Sequence, residues 1–150
     1  MSTFEIDPHI GVGPFRFGMT EPDVIATGLL PKNKTRNRRG EPNWIYDGYS
    51  VRFGAKDGLL CDVGFSKQCR VLLRGIDVFA DSDALGRILA QAPNVFDFYG
   101  FLVFPDLGIT LTGFHDGNES DKALTVFVRG HWDEFQKNPK FRKWSEPKGP

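Results

Sequence analysis

The stretch that decides the fold is GVGPFRFGMTEPDVI, residues 11–25. Thr20 is a residue type that caps a helix with its side-chain oxygen, and Pro22 suits the first helical turn. Acidic residues in the same turn stabilise the positive end of the helix dipole. We therefore predict a short helix over residues 21–27, which ends at Gly28.

Beyond this helix the apolar residues recur at every second position, which is the period of a strand. Residues 32–42, KNKTRNRRGEP, come first and predict an exposed polar and basic loop. Residues 44–53 then predict a strand with a bulge near Gly48. Residues 59–65 predict a second strand that returns through a tight turn, and residues 69–73 a third.

The same order of features starts again in the second half of the chain. Leu85, Ile88 and Leu89 share one face of a predicted helix, and Asp81 or Ser82 is expected to cap it. The strands expected to follow cover residues 96–104, 109–114 and 123–128.

The two halves therefore predict an α+β fold built from two tandem helix-then-three-strand units. Moving the first half forward by 61 positions places Thr20 on Asp81 and Val24 on Leu85. We expect one domain over residues 1–150, with a mainly antiparallel sheet of six or seven strands, both helices on one face and the other face partly open. The units and the tail span about residues 10–74, 75–130 and 131–150.

Composition restricts the classes of function. Lys plus Arg (19) equals Asp plus Glu (19), which argues against a general nucleic-acid binder or a membrane-surface protein. The N-terminus lacks the basic and apolar pattern of a secretory signal, and no apolar run is long enough to span a membrane, so we expect a cytoplasmic protein. In that compartment Cys61 and Cys69 are expected to be reduced, although a disulfide between them is geometrically conceivable.

Motifs that carry chemistry are mostly missing from the sequence. The glycines at 11, 13 and 18 do not have dinucleotide-binding spacing, and the histidines and cysteines lack metal-ligand spacing. We therefore predict no cofactor, no metal and no enzymatic activity. Two catalytic alternatives stay open: a Cys–His pair of Cys61 or Cys69 with His115 or His131, and a hydrolase-like His/carboxylate site near His115.

The motif GVGPFRFGMT with Val24 resembles the G-I-G-P-x-x-x-G-M-T-x-x-x-V opening of small bacterial immunity proteins. These proteins guard against secreted polymorphic or contact-dependent toxins. FPDLGITL at 104–111 and VFVRG at 126–130 resemble their second half, so the likeness covers about residues 10–135. The tandem architecture is also similar to that of β-lactamase inhibitory proteins, which hold an enzyme against an aromatic sheet.

The resemblance implies that the chain binds one cognate toxin domain and occludes its active site. Such a binder uses aromatic and arginine anchors on an open face with a charged rim. The residues expected to bind the partner are Trp44, Tyr46, Tyr49 and Tyr99 as anchors, and Arg36, Arg38, Arg39, Asp116 and Glu119 at the rim. A dimeric scaffold domain is a further alternative, and the oligomeric state stays open.

Overall fold

The computed structural model describes residues 2–145 and has a mixed α+β fold made mostly of sheet. The elements of the first part of the chain are β1 (Thr3–Asp7), β2 (Gly11–Val12), β3 (Phe15–Arg16), α1 (Glu21–Ala26), β4 (Asn33–Arg36), β5 (Pro42–Ile45), β6 (Tyr49–Phe53) and β7 (Leu60–Ser66). Those of the remainder are β8 (Arg70–Leu73), β9 (Ile76–Asp77), α2 (Ala84–Gln91), β10 (Phe96–Phe98), β11 (Phe101–Phe104), β12 (Ile109–Thr112), β13 (Ala123–Phe127) and β14 (Arg142–Lys143).

Helix α1 begins as the sequence predicts. The Asp23 N–H donates to the Thr20 hydroxyl oxygen at 3.3 Å, and the Thr20 N–H donates to the Asp23 carboxylate at 3.0 Å. This reciprocal capping box satisfies two backbone donors at the start of the helix. It also lowers the pKa of Asp23, mainly through the hydrogen bond from the Thr20 backbone.

Nine antiparallel strands form the main sheet, in the order β14-β10-β11-β12-β13-β7-β6-β5-β4. Its centre is the pair β7 and β13, in which Val63 faces Val126. A row of buried side chains crosses five strands on one face of the sheet: Trp44, Val51, Val63, Val126 and Ile109. This row forms the floor of the hydrophobic core.

A second, smaller sheet has the order β3-β2-β1-β8-β9. Its central strands β1 and β8 are parallel, with Phe4 opposite Val71, and the other pairs are antiparallel. Side chains from this sheet and both helices share one buried cluster with the inner face of the main sheet. Val24 of α1 and Ile88 of α2 are completely buried there. The core therefore lies between the main sheet on one side and the small sheet with the helices on the other.

Several expectations are corrected by the structure. The predicted strands 44–53 and 96–104 are each two antiparallel strands joined by a turn, so Gly48 lies in a turn and not at a bulge. The main sheet has nine strands instead of six or seven, and strand 70–73 joins the small sheet by pairing with β1. Part of the predicted loop at 32–42 is the strand β4, because its backbone pairs with β5 despite its polar side chains. Neither Asp81 nor Ser82 caps α2, since the Asp81 carboxylate accepts from the Asp77 N–H and from Arg87.

The outer face of the main sheet is partly covered by the segment that follows β13. Phe98, Val103 and Phe127 form a separate buried cluster there, on which Trp132 and Phe135 pack. Residues 146–150 of the predicted tail lie outside the described residues. Within residues 2–145, no helix has both the length and the apolar character that a membrane crossing needs.

Candidate binding groove

The turn between β4 and β5 holds two arginines in a well-ordered loop, which we call the arginine turn (residues 37–41). The Asn37 side-chain oxygen accepts the N–H groups of Arg39 and Glu41, each at 3.0 Å. Arg36 donates from Nη1 to the Gly40 carbonyl at 2.7 Å. These bonds fix the backbone from which Arg38 and Arg39 extend.

The arginine turn and the segment after β13 enclose a groove of about 390 Å³. Its lining residues are Asn37, Arg38, Arg39, Glu41, Arg52, His131, Trp132 and Phe135. Arg39 spans the two walls, with its guanidinium 3.6 Å from the Glu134 carboxylate and 5.8 Å from the centre of the Phe135 ring. Both ends of the Arg39–Glu134 pair are exposed, so this ion pair contributes little stability and is free to exchange partners.

Beneath the groove lies a buried carboxylate. Asp62 is 4% exposed, and its Oδ2 atom lies 3.4 Å from Arg52 Nη1 and 3.5 Å from His131 Nε2. Burial raises the pKa of Asp62, while the charges of Arg52 and His131 act in the opposite direction. The Arg52 Nε atom is buried and has no hydrogen-bond partner among the residues that the structure describes. The floor of the groove is therefore polar, and its charged side chains make only long contacts with one another.

Cys61 lies beside this carboxylate because of an irregularity in strand β7. Arg52 faces Asp62 across the sheet, but the next residue, Phe53, faces Leu60, which leaves Cys61 as the extra residue of a bulge. Ligand atoms of Cys61, Asp62 and His131 lie within 4.8 Å of one another. The structure therefore brings Cys61 close to His131, which is one of the Cys–His pairs that the sequence left open.

The Cys61 thiol is not an activated nucleophile in this arrangement. Burial is the main cause that raises its pKa to about 12, and the charge of Asp62 adds to the shift. A thiol with that pKa is protonated at neutral pH, whereas cysteine nucleophiles act as thiolates. Cys69, in the turn after β7, is also a free thiol with a raised pKa, again mainly through burial.

An aromatic surface continues from the groove across the outer side of β10 and β11, and we call it the aromatic face (Phe98, Tyr99, Phe101, Trp132 and Phe135). Tyr99 is 67% exposed and Phe101 is 42% exposed. Phe98 links the members, with its ring 4.7 Å from Tyr99 and 5.2 Å from Phe135. Since Arg39 lies against Phe135, the aromatic face and the arginine turn form one continuous surface.

Three of the predicted anchors lie elsewhere. Trp44 and Tyr46 are 2% and 6% exposed, and Tyr49 is half-buried. Trp44 packs edge-on against Phe53, while Tyr46 stacks on Tyr49 with ring centres 4.7 Å apart. The expectation that these residues lie on the open face is wrong, because the strand alternation directs them into the core. Of the four aromatic residues predicted to anchor the partner, Tyr99 is the one that is exposed.

The predicted rim residues divide into two groups. Arg38 and Arg39 line the groove, and Arg36 supports it through Gly40. Asp116 and Glu119 belong to the loop after β12, which joins the main sheet at the opposite end of β13 from Asp62. Glu119 pairs with Lys122 at 2.8 Å, and that hydrogen bond lowers the pKa of Glu119. The structure therefore separates the two acidic rim residues from the arginines.

The site near His115 that the sequence left open does not form a His/carboxylate pair among the described contacts. The His115 ring packs edge-on against Trp144 at 5.7 Å, and its buried Nδ1 atom has no hydrogen-bond partner within the described part of the chain. Asp116 instead accepts from the Asn118 N–H at 3.1 Å. The arrangement is that of a polar turn packed against the C-terminal segment.

A larger cavity of about 670 Å³ lies on the other side of the molecule, next to β1. Its walls include Phe4, Tyr49 and Cys69, and its charged residue is Asp47. The Asp47 carboxylate pairs with Lys32 at 3.3 Å. The cavity therefore offers apolar contact but little charge with which to orient a ligand.

Five lining residues of the groove were not selected from the sequence: Asn37, Glu41, Arg52, Trp132 and Phe135. Asp62, beneath the groove, was not selected either. Asp62 had no distinguishing feature, because a single aspartate in a strand does not reveal its burial. Trp132 and Phe135 belong to the predicted tail and had no feature that marked them as partner-binding residues. The approach of Arg39 to the Phe135 ring depends on the fold.

No family model, curated protein or solved structure matches this chain.

Proposed function

We propose that this protein is an immunity protein, which binds one cognate toxin domain inside the cell and occludes its active site. The observation that supports this function best is the continuous surface formed by the arginine turn, the groove and the aromatic face. Exposed Tyr99 and Phe101 lie at one end of this surface, and Arg38 and Arg39 lie at the other. The motif resemblance of residues 11–24 points to the same class of protein.

The chemistry of the surface suits a protein partner. Tyr, Trp and Arg are the residue types that most often carry the binding energy of protein interfaces. Trp132 and Phe135 are held by a packed aromatic cluster, so they lose little side-chain freedom on binding. The groove between them and the arginine turn has a volume of about 390 Å³, which is enough space for a side chain of the partner.

The partner surface that fits is acidic. Residues 32–39 carry five cations, and the Arg38 and Arg39 guanidinium groups can each hold a carboxylate through two parallel hydrogen bonds. The chain as a whole has no net charge, so the attraction is local to this hairpin. Local complementarity of this kind favours one partner and speeds its association.

We propose further that the chain contains two copies of one structural unit. The pair β2 and β3 matches Val12 with Phe15, and 61 residues later β8 and β9 match Leu73 with Ile76. A helix and four strands follow each hairpin, and the last strands of the two sets, β7 and β13, pair at the centre of the main sheet. These correspondences support the duplication, although the two helices differ in length and capping.

The function is tested by co-expression with the product of the neighbouring gene. We expect wild-type protein to protect cells from that product and to form a stable complex with it. The double variant Arg38→Glu/Arg39→Glu should bind at least about thirtyfold more weakly, since a hot-spot residue contributes about 2 kcal/mol or more. Tyr99→Ala should also weaken binding.

The matched control is Lys56→Glu/Arg74→Glu, which reverses two charges on other turns of the molecule. This variant should bind and protect like wild type. Urea unfolding of every variant separates loss of binding from loss of fold. Wild-type protein that neither binds nor protects would remove the proposal, and equal loss in the control variant would remove the assignment of the surface.

A further inference from the structure

Asp62 is a buried carboxylate whose contacts are unusually long. Its neighbours Arg52 Nη1 and His131 Nε2 lie at 3.4 Å and 3.5 Å, whereas charge-assisted hydrogen bonds to carboxylates are about 2.7–2.9 Å long. A buried charge is costly unless it is well paired or bound to a metal. The close partner that such a carboxylate requires is therefore missing among residues 2–145.

The bulge in β7 adds a soft ligand to the same place. Side chains of neighbouring residues in a regular strand point to opposite faces. In β7 the register shift leaves Cys61 unpaired opposite the Arg52–Phe53 step, and its thiol lies within 4.8 Å of the ligand atoms of both Asp62 and His131. The bulge therefore places sulfur, oxygen and nitrogen ligands around one point.

The separation of the nitrogen and oxygen ligands matches that around a tetrahedral metal ion. Metal–ligand bonds of about 2.0–2.1 Å to nitrogen and oxygen correspond to ligands about 3.4 Å apart. The observed separation between His131 Nε2 and Asp62 Oδ2 is 3.5 Å. The Cys61 sulfur lies within 4.8 Å of both atoms, and the hydrogen bond that it donates to the Arg52 carbonyl is long, at 3.5 Å.

We propose that Cys61, Asp62 and His131 bind one Zn²⁺ ion, with a fourth position left for water or a ligand. A mixed sulfur, nitrogen and oxygen set favours Zn²⁺ over Mg²⁺ and Ca²⁺, which require oxygen ligands. Binding releases the Cys61 thiol proton to solvent as the Zn–S bond forms. This proposal does not rest on the toxin-binding function, but the site shares His131 with the groove.

The charges around the site agree with a divalent ion. The metal and the Arg52 guanidinium carry three positive charges, and the Cys61 thiolate, Asp62 and Glu41 carry three negative charges. Glu41 is close enough for its charge to act on both Cys61 and Asp62. Arg52 continues to contact the Asp62 carboxylate without being a ligand itself.

The test uses full-length protein that has been stripped with a chelator and then titrated with Zn²⁺ or Co²⁺. We expect one equivalent of metal to remain after dialysis, and a rise in Tm with Zn²⁺. Co²⁺ should give a thiolate charge-transfer band and the intense visible bands of a tetrahedral site, and Zn²⁺ should displace it. Cys61→Ser should lose the charge-transfer band, and His131→Gln should weaken binding about a hundredfold.

Matched controls are Cys69→Ser and His115→Gln, which change the other free thiol and another partly buried imidazole. Both should bind metal like wild type. The proposal is overturned if wild-type protein retains no metal, if Cys61→Ser keeps the charge-transfer band, or if Cys69→Ser loses it.

A second measurement covers the case in which Cys61→Ser does not fold. Zn²⁺ should protect Cys61 of wild-type protein from alkylation, with peptide mass spectrometry as the readout and Cys69 as the internal reference. Equal modification of Cys61 with and without Zn²⁺ would overturn the proposal.

Discussion

Trp44 and Tyr99 are large aromatic residues of the main sheet with opposite surroundings. Trp44 lies in β5, where its ring packs against Phe53 and beneath the Lys34 ammonium group at 4.3 Å. Tyr99 lies in the turn between β10 and β11, where a positive φ of 53° holds its ring out beside Phe98. One side chain therefore stabilises the core, and the other is available to a partner.

At the residue scale we predict that Trp44→Ala lowers the free energy of unfolding by about 3–5 kcal/mol, because it leaves a cavity in the core. Tyr99→Ala should change it by less than about 0.5 kcal/mol, because the ring is mostly exposed. Urea unfolding at neutral pH measures both. Equal stability of the two variants would show that the packing of Trp44 is misassigned.

The loop between β12 and β13 contains two glycines that share a positive φ but differ in the space around them. Gly113 has φ 79°, and a Cβ there would lie 2.6 Å from the Asn118 carbonyl oxygen and 2.7 Å from the Lys122 nitrogen. Gly117 has φ 71°, but a Cβ there meets nothing within 4 Å. The positive φ favours glycine at both positions. At Gly113 the neighbouring backbone atoms also leave no room for a Cβ.

At the element scale we predict that Gly113→Ala destabilises the protein by about 3 kcal/mol, because backbone strain and a clash with main-chain atoms add together. Gly117→Ala has the strain alone and should cost about 1 kcal/mol. Thermal unfolding of the two variants compares them directly. A smaller effect at Gly113 than at Gly117 would contradict the close approach.

The whole molecule has no net charge, but a basic cluster and an acidic cluster lie near opposite ends of β13. The hairpin at 32–39 is basic, and the loop at 115–122 carries Asp116, Glu119 and Asp121. Between these clusters, the segment after β13 covers Phe98, Val103 and Phe127 on the outer face of the main sheet. That segment both completes the fold and forms one wall of the groove.

At the scale of the molecule we predict that ending the chain after Gly130 uncovers this apolar cluster. The free energy of unfolding should fall by about 3 kcal/mol or more, and the truncated protein should self-associate. Denaturation and sedimentation velocity measure the two effects. Lys140→Ala, an exposed change within the same segment, is the control and should behave like wild type. A stable, monomeric truncated protein would refute the structural role.

Local chemistry made much of the fold predictable. The Thr20 cap, the two helices and most strands follow from side-chain types and periods that act over a few residues, and these expectations are confirmed in outline. The strand β4 was missed because its polar residues resemble a loop, and it is a strand only through pairing with β5. Within the candidate site, the sequence identified Arg38 and Arg39 as exposed residues of a basic loop. It also identified Tyr99 as an exposed aromatic residue, but placed it in a strand and not in the turn between β10 and β11.

What the sequence determined by itself is therefore the α+β class, the start of the first helix and a basic turn with exposed arginines. The tertiary structure decided which aromatic residues face the core, because strand periodicity distinguishes two faces without saying which one is covered. It also brought Cys61, Asp62 and His131 together. These residues lie about seventy positions apart in the chain, and the bulge in β7 and the pairing of β7 with β13 place them side by side. No local pattern encodes such a contact, because it depends on how the strands pair across the whole sheet.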